Sequence, residues 1–229
     1  MKTLFVAGTD TGVGKSVVTG LLARYFREKR VKVITQKWIQ TGSKNNFSQD
    51  IELHLRIMGV CKQDIKCYLS CVSPYCFKEP CSPHLAARIE NKIIDANKIK
   101  KSLVALKRDF DLVIVEGSGG VLVPFSAKGL LIDLVKENNL PVLVVVANKL
   151  GAINHALLTI EALRRRRLKI LGLVFCDVRN EDKFISRDNP KIVKILAKEK
   201  ILGILPWERK IEKLYKKFIP IGKNIARCL

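Results

Sequence analysis

The sequence has few aromatic, acidic and histidine residues, and it has no long apolar run. Aromatic side chains make up 7% of its 229 residues, there are three histidines, and 21 acidic residues stand against 42 lysines and arginines. The longest apolar run, Val142 to Ala147, is far shorter than the roughly 20 residues that a helix needs to cross a bilayer. Gly8 and Asp10 interrupt the apolar N-terminal stretch too early for a secretory signal peptide. These absences predict a cytoplasmic protein with no membrane partner.

The chain also lacks the features that divide a sequence into domains. No repeat, low-complexity segment or linker rich in glycine and proline interrupts it. A hydrophobic content of 48% with 28% charged residues is typical of a folded globular domain. We therefore expect residues 1–229 to form a single domain.

Cysteine spacings typical of metal sites are absent as well. The chain has seven cysteines, and five of them lie between residues 61 and 81, yet no C-x-x-C pair occurs. Zinc and iron–sulfur sites usually contain such pairs, and stable disulfides are rare in a reducing compartment. The cysteines are therefore interpreted as buried or semi-buried free thiols.

The shortage of acidic residues leaves a net charge of +21. Such a charge favours anionic partners, and its densest cluster is Arg164 to Arg167. The basic residues are nevertheless spread along the whole chain, without a nucleic-acid-binding motif. We interpret the arginine run as the solvated end of a helix, where cations complement the helix dipole. A nucleic-acid partner is not expected.

The sequence does contain a phosphate-binding loop near its start. The apolar run Thr3 to Ala7 leads into Gly8-Thr9-Asp10-Thr11-Gly12-Val13-Gly14-Lys15-Ser16, and apolar residues then recur at helical spacing. Such a strand, loop and helix bind a polyphosphate through backbone N–H groups, with Lys15 on the terminal phosphates and Ser16 on a magnesium ion. Gly8 lies one position earlier than in the usual Gly-x4-Gly-Lys-Ser pattern, so the loop is a variant. A nucleotide site is predicted.

Charged residues stand near the ends of two further predicted strands. A strand from Val31 to Thr35 is followed by Lys37, and the apolar run from Asp111 ends in Glu116. Because ligands of open parallel sheets collect at the carboxyl ends of strands, Lys37 is a candidate functional lysine and Glu116 a candidate magnesium partner. Asp50 is placed to open the next helix, either as its cap or as a magnesium ligand.

Apolar runs and helical patterns alternate along the rest of the chain. We predict helices from Asp95 to about Arg108, Leu130 to Asn138, Ile153 to Arg166 and Pro190 to Lys198, and strands at Pro141 to Ala147, Ile170 to Phe175 and Ile201 to Leu205. The proline-containing stretch Cys71 to Pro83 is expected to lie outside the core. With the phosphate loop, this alternation predicts an α/β, P-loop NTPase-like fold with helices on both faces of a parallel sheet.

One motif of guanine-specific sites is incomplete. Asn148-Lys149-Leu150-Gly151 resembles the Asn-Lys-x-Asp sequence of GTPases, but Gly151 replaces the aspartate that would pair with guanine. Guanine specificity is therefore not predicted from this segment.

Several blocks, taken in order, resemble the dethiobiotin synthetase family of biotin biosynthesis. They are the phosphate loop at 8–16, the proline-rich segment at 72–84, Glu-Gly-Ser-Gly-Gly at 116–120, Lys-Leu-Gly with Ile-Asn-His at 149–155, and Pro206-Trp207. The resemblance implies an ATP- and magnesium-dependent ligase that joins carbon dioxide to 7,8-diaminopelargonic acid. A carbamate and a carbamic–phosphoric anhydride would precede closure of the ureido ring of dethiobiotin.

The resemblance also implies roles for particular residues. Lys37 and Lys15 would be catalytic, and magnesium would be held by Ser16, Asp50 and Glu116. The nucleotide would contact Gly12, Val13, Gly14, Lys15, Ser16, Val17, Asp50, Glu116, Gly117, Ser118, Gly119, Cys176, Asp177, Pro206, Trp207 and Glu208. The organic substrate would contact Thr11, Thr41, Gly151, Ala152, Ile153 and Asn154. The last four form a helix N-terminus that would reach the substrate carboxylate of the partner subunit in a homodimer.

Three positions depart from the family pattern. Trp38 follows Lys37 where the family commonly has proline, and Thr41 stands where serine is frequent. Cys176 stands where the adenine-contacting block usually has asparagine, and a thiol cannot supply an amide's paired donor and acceptor. We therefore predict that other nucleoside triphosphates can replace ATP.

Two other classes share the phosphate-loop pattern. A partitioning-type P-loop ATPase would carry a signature lysine five positions before Lys15, where Asp10 stands. A cobyrinic-acid-type amide synthetase needs an ammonia-producing domain, for which 229 residues leave no room. Both remain as alternatives to the ligase.

Overall fold

Runs of β-branched and other apolar residues form the strands of a six-stranded parallel sheet. The computed structural model describes residues 2–229. The strands are β1 (Lys2–Gly8), β2 (Val33–Lys37), β3 (Ile39–Gln40), β4 (Tyr75–Cys76), β5 (Leu112–Gly120), β6 (Val142–Asn148), β7 (Ile170–Asp177) and β8 (Ile201–Leu205). The large sheet has the order β2-β5-β1-β6-β7-β8, and β3 pairs with β4 in a small separate sheet. All of these pairings are parallel.

Helices connect the strands of the large sheet and cover both of its faces. They are α1 (Lys15–Glu28), α2 (Gln49–Met58), α3 (Leu69–Val72), α4 (Pro83–Ile89), α5 (Ala96–Asp109), α6 (Leu131–Glu137), α7 (Ala152–Arg165), α8 (Lys183–Ala197) and α9 (Ile211–Ala226). A 3-10 helix, Lys62–Tyr68, precedes α3.

Alternate residues of the buried strands pack on opposite sides of the sheet. Leu4 and Val6 of β1 belong to the core formed with α1 and α9, whereas Phe5 and Ala7 belong to the core formed with α5, α6 and α7. Strands buried on both faces read as continuous apolar runs, as parallel sheets require. The predicted α/β, P-loop NTPase-like fold with helices on both faces is confirmed.

The bounds of β2 differ from the prediction and bring Lys37 into the sheet. The strand begins at Val33 rather than Val31 and ends at Lys37. Before it, the backbone of Lys32 is held by Asp111, whose Oδ2 accepts from the Lys32 N–H at 3.1 Å. Pairing then runs in register from Val33 with Leu112 to Lys37 with Glu116. The two predicted charged residues are therefore direct neighbours across the sheet.

Helix α8 was predicted to start at Pro190, but it starts at Lys183 and contains that proline in its interior. Asp182 caps it by accepting from the Phe184 N–H at 2.6 Å. A proline inside a helix leaves the carbonyl four residues earlier without its usual donor. Here that carbonyl, of Ser186, accepts instead from the side-chain amide of the buried Asn148 at 2.8 Å. The helix can thus continue through the proline.

Two other expectations about the fold were incomplete. Helix α9 was not predicted, although Leu214, Phe218, Ile221 and Ile225 recur at helical spacing and are buried. The stretch Cys71 to Pro83 was expected to lie outside the core, yet Val72 and Phe77 within it are fully buried. Val72 lies in α3, which contacts both β2 and α5, and both side chains belong to the hydrophobic core on that side of the sheet.

The interpretation of the cysteines as buried or semi-buried free thiols is only partly correct. All seven are unpaired and five are half-buried, but Cys61 and Cys67 are exposed. Within residues 2–229, no cluster of three or more histidine, cysteine, aspartate or glutamate side chains is arranged to bind a metal. None of the helices described there is both long enough and apolar enough to cross a membrane.

Candidate active site

The phosphate loop between β1 and α1 adopts a conformation that depends on its glycines. Gly12 and Gly14 have φ angles of 69° and 99°, in the left-handed region that glycine enters at little cost. Lys15 folds back over the loop and donates from Nζ to the Asp10 carbonyl at 2.7 Å. A Cβ atom at Gly8 would lie 2.6 Å from that Nζ. The early glycine of this variant loop therefore makes room for the lysine.

Lys37 lies beside the loop with its charge almost fully enclosed. Its exposed fraction is 4% and that of Glu116 is 1%. The Lys37 Nζ lies 2.7 Å from Glu116 Oε1 and 2.6 Å from Asp50 Oδ2, and it donates to the Gly117 carbonyl at 3.0 Å. One ammonium group thus joins two carboxylates from different elements.

The carboxylate of Asp50 belongs to this cluster and not to the helix cap. Ser48 is the N-cap of α2, because its Oγ accepts from the Ile51 N–H at 3.2 Å. Asp50 follows in the first turn, and its Oδ1 lies 2.9 Å from Ser16 Oγ. Ser16 Oγ is also 2.9 Å from Glu116 Oε1. Of the two roles left open by the sequence, the cap is excluded.

Charge pairing keeps the ionised forms of this cluster. Burial alone would lower the pKa of Lys37, but Glu116 and Asp50 outweigh burial and raise it. Burial alone would raise the pKa of Glu116, but Lys37 and His54 hold it well below its usual range. Burial and the charge of Lys37 lower the pKa of Lys15 to about 8. The site therefore presents both lysine cations and the ionised Glu116 at neutral pH.

His54 is part of the site, although the sequence analysis did not select it. It is fully buried on α2, and its Nε2 lies 2.7 Å from Glu116 Oε2. The available signal was its spacing: His54 stands one helical turn after Asp50, so both face the same side of α2.

A cavity of about 380 Å³ opens above the lysines. Its lining includes Thr11, Thr41, Ser118 and Gly119 from the predicted set. Three further lining residues were not predicted: Ile39, Gln40 and Leu53. Gly117 does not line the cavity but contributes its carbonyl to Lys37. This space is bordered by both cations and by hydroxyl groups.

A second cavity, of about 350 Å³, lies on the other side of the loop. It is lined by the predicted Val13, Cys176, Asp177, Pro206, Trp207 and Glu208, and also by Val178, Arg179, Leu205 and Leu214. The two cavities share Gly12, Gly14 and Val17. A ligand with a polar end and a planar end can therefore span both across the phosphate loop.

Cys176 contributes a neutral thiol to the second cavity. Burial and the neighbouring Asp177 raise its pKa to about 12. A Cβ atom at Gly14 would lie 3.0 Å from its Sγ, so the thiol sits close against the phosphate loop. The carboxylate of Asp177 is oriented by Asn148, whose amide donates to Oδ1 at 2.7 Å.

The segment predicted to bind the substrate carboxylate stands apart from both cavities. Gly151, with φ at 86°, is the N-cap of α7, and Ala152, Ile153 and Asn154 form its first turn. None of these four residues lines either cavity of the chain. Leu150 beside them is 78% exposed.

Comparison with solved structures identifies the fold. The cell division ATPase MinD of Pyrococcus furiosus superposes with a TM-score of 0.61 at 15% identity, and all of both chains is covered. The MinC:MinD complex of Aquifex aeolicus matches with a TM-score of 0.60 at 15% identity, over 99% of this chain and 95% of that one. At such identity the likeness concerns the fold alone.

Comparison of sequences identifies the family. A family described as an AAA domain matches residues 2–214. The ATP-dependent dethiobiotin synthetase BioD 2 of Haemophilus influenzae is 41% identical over 176 residues, which cover 76% of this chain and 90% of that protein. The ATP-dependent dethiobiotin synthetase BioD of Chlorobaculum tepidum is 39% identical over 203 residues, or 89% of this chain and 84% of that protein. These relatives, which agree with the phosphate loop and the lysine–carboxylate cluster, show that the chain belongs to the ATP-dependent dethiobiotin synthetase family.

Proposed function

We propose that the protein catalyses the ATP-dependent conversion of 7,8-diaminopelargonic acid and carbon dioxide into dethiobiotin. Family membership supports the overall reaction. The observation that carries the site assignment is Lys37, held 2.6 Å from Asp50 and 2.7 Å from Glu116 beside the phosphate loop. It borders a cavity that also contains Lys15 and two threonines.

The reaction needs positive charge between two anions. One amine of the substrate adds to carbon dioxide and loses a proton, which forms a carbamate. A carbamate oxygen then attacks the γ-phosphorus and ADP leaves. Lys15 and Lys37 would stabilise the charge that accumulates between the carbamate and the transferring phosphoryl group. The second amine finally attacks the carbamoyl carbon, the ring closes, and inorganic phosphate leaves.

The oxygen groups near Lys15 fit a magnesium ion. Ser16, Asp50 and Glu116 supply a hydroxyl and two carboxylates, the hard ligands that magnesium prefers. The ammonium of Lys37 lies between the two carboxylates and already marks this position as one for a cation. Bound magnesium would neutralise charge on the phosphates of the nucleotide. Lys37 would then be free to turn toward the γ-phosphate.

The two cavities would divide the remaining ligands between them. Thr11 and Thr41 would hydrogen-bond the carbamate and the amine in the first cavity. The nucleotide base would lie in the second cavity, between Cys176 and the segment from Pro206 to Glu208. The substrate carboxylate would meet the N-terminus of α7 from the partner subunit of a homodimer. Its free N–H groups and helix dipole suit an anion.

A direct assay tests the function. Purified protein is incubated with diaminopelargonic acid, isotopically labelled bicarbonate, magnesium and each nucleoside triphosphate in turn. Mass spectrometry should detect labelled dethiobiotin and an equal amount of nucleoside diphosphate. Nucleotide hydrolysis that needs no diaminopelargonic acid, with no dethiobiotin formed, would instead favour a partitioning-type ATPase.

A further inference from the structure

The carboxylate of Glu116 is contacted from two opposite sides. Its Oε1 faces the cavity side, where Lys37 Nζ lies at 2.7 Å and Ser16 Oγ at 2.9 Å. Its Oε2 faces helix α2, where His54 Nε2 lies at 2.7 Å. The partners of Oε1 belong to the reaction machinery, whereas His54 touches neither cavity. The two oxygens of one carboxylate therefore serve different purposes.

The hydrogen-bonding pattern assigns the proton of His54. Its Nδ1 is buried and has no partner among the described residues. A buried N–H without an acceptor is costly, so the geometry favours Nε2, the ring nitrogen 2.7 Å from Glu116 Oε2, as the donor to Glu116. Glu116 keeps its negative charge and gains a fixed donor.

The packing around His54 holds the ring in place. Helices α1 and α2 are in close contact at this level, because a Cβ atom at Gly20 would lie 3.3 Å from the His54 Cα and 2.8 Å from Ile57 Cδ1. The imidazole is fully buried, and the close approach of α1 fixes the backbone of His54 from which it projects. The donor is therefore present whether or not the cavities hold ligands.

We propose that His54 is a positioning residue that sets the rotation of the Glu116 carboxylate; this rests on the function proposed above. The terminal torsion of a glutamate is broad and does not fix the carboxylate by itself. With magnesium and ATP bound, Lys37 and Ser16 would be drawn to the ligands and would no longer orient Glu116. His54 would still hold Oε2, which would leave Oε1 available to the metal. Residues that orient metal ligands in this way typically change metal affinity or activity by about 10- to 100-fold when they are replaced.

Two amides that differ in reach test the proposal. His54→Gln retains an N–H donor at about the position of Nε2, whereas His54→Asn is too short to reach Glu116. For each variant the binding of a non-hydrolysable ATP analogue is titrated by calorimetry as a function of magnesium concentration. The turnover number and KM are measured alongside. We expect wild-type values within about threefold for His54→Gln and a tenfold or greater loss of magnesium affinity for His54→Asn.

A buried neighbour separates positioning from stability. Leu55→Ala removes buried packing from the same helix but spares the contact of Gly20 with His54 and Ile57, so its melting temperature should fall while its magnesium dependence stays unchanged. Equal magnesium affinities in His54→Gln and His54→Asn, whether high or low, would overturn the proposal. Because the calorimetric titration contains no diaminopelargonic acid, it remains decisive even if the wild-type protein forms no dethiobiotin, which would refute only the proposed function.

Discussion

At the level of single residues, Lys37 is a buried charge that is fixed by three contacts. It comes from the last position of β2 and pairs with Glu116 of β5 in register, while Asp50 approaches from α2. Removing one partner of a buried ion pair leaves the other charge uncompensated and typically costs about 3–5 kcal/mol. The same lysine thus contributes to the stability of the fold and is the residue to which we assign a catalytic role.

We predict that Lys37→Met reduces the turnover number by about 100-fold or more, because a preorganised cation is lost from a developing anion. The variant should also lose about 3 kcal/mol of unfolding free energy, since Glu116 and Asp50 then repel each other without a counterion. Urea denaturation and steady-state kinetics measure the two effects separately.

A second substitution tests whether the loss of stability comes from the uncompensated charge or from the changed shape of the side chain. The double variant Lys37→Met with Glu116→Gln should be more stable than Lys37→Met alone, because one of the two uncompensated carboxylates is gone and no longer repels Asp50. It should remain inactive. A single variant Lys37→Met with near-normal turnover would remove Lys37 from the mechanism.

Cys176 is the residue on which we predict base selectivity to depend. Its thiol is neutral, since burial and Asp177 raise its pKa to about 12, and it lines the second cavity where asparagine is usual in the family. An amide that pairs with the base edge is missing, and a lost hydrogen-bond partner typically costs about 1–3 kcal/mol. Phosphate and magnesium contacts do not depend on the base.

We therefore predict that CTP, GTP or UTP supports the reaction within roughly tenfold of ATP in kcat/KM, a factor of ten being about 1.4 kcal/mol. Cys176→Asn should raise the preference for ATP with little change in kcat, because the base is remote from the transferred phosphoryl group. Competition assays with paired nucleotides measure the ratio. A wild-type preference of a hundredfold for ATP over every other triphosphate would contradict this.

At the level of secondary-structure elements, the start of α2 couples helix formation to the active site. Ser48 is fully buried, accepts from the Ile51 N–H and donates to Gln40 Oε1 at 2.7 Å. Asp50 stands two residues later and contacts both Lys37 and Ser16. The cap therefore determines where one carboxylate of the cluster lies.

Replacement of this cap should affect both stability and nucleotide binding. Ser48→Ala should lower the unfolding free energy by about 1–2 kcal/mol through loss of the cap and raise KM for ATP, because the first turn of α2 loosens around Asp50. The cap of α5 is a matched control, since Asp95 accepts from the Asn97 N–H at 2.8 Å and lines neither cavity. Asp95→Ala should cost a similar free energy and leave KM for ATP unchanged. Equal KM values for ATP in the two variants would show that the cap of α2 does not affect the nucleotide site.

Local sequence patterns predicted the elements whose signals are local. The phosphate loop, the apolar strands and the capped helix after Asp95 follow from spacing and capping residues. The predicted start of α8, near Pro190, was wrong. The helix continues through this proline because Asn148, which is distant in the sequence, replaces the missing N–H donor. The exact register of β2 likewise depends on Asp111.

The candidate site was predictable to the extent that its residues lie on recognisable motifs. Lys15, Ser16, Lys37 and Glu116 stand at strand ends or helix starts, and the structure brings them together. His54 and Arg179 were missed for a physical reason: the spacing of His54 from Asp50 indicates a shared helix face but no function, and an arginine in a basic chain carries no local signal. The position of His54 becomes evident only from the packing of α1 on α2, and that of Arg179 only from the cavity beside Trp207.

For the molecule as a whole, the large positive charge is partly compensated where it is densest. Helix α7 ends at Arg165, within the run of four arginines. Arg164 pairs with Glu199 at 2.7 Å, and Arg166 pairs with Asp133 at 2.8 Å. These contacts use two of the four guanidinium groups to tie the end of α7 to neighbouring segments. The run therefore has a structural use that does not require a nucleic acid.

The position of the α7 N-terminus links the oligomeric state to the proposed substrate site. Residues 151–154 line neither cavity of their own chain, so a role in substrate binding requires a second subunit. Asn154 is exposed in the first turn of α7. Replacing it by aspartate preserves size and suits a helix N-terminus, but it places a negative charge where the substrate carboxylate is proposed to bind.

We predict that Asn154→Asp raises KM for diaminopelargonic acid about tenfold, equivalent to about 1.4 kcal/mol, and leaves stability and KM for ATP unchanged. Asn97→Asp in the first turn of α5 is the matched control, and it should alter none of these values. Steady-state kinetics at varied substrate concentration measure the effect.

Mixing two defective variants tests whether the site is shared between subunits. In a two-fold symmetric dimer, a heterodimer of Lys37→Met and Asn154→Asp contains one site with both residues intact and one site with both replaced. The two variants are unfolded, mixed in equal amounts and refolded together, and activity is then assayed at a low substrate concentration. The mixture should recover roughly a quarter of wild-type activity, since about half of the dimers are mixed and each has one intact site. The separately refolded proteins should stay near their own low values. A mixture no more active than the sum of its components would mean that each chain binds its substrate without the α7 of another.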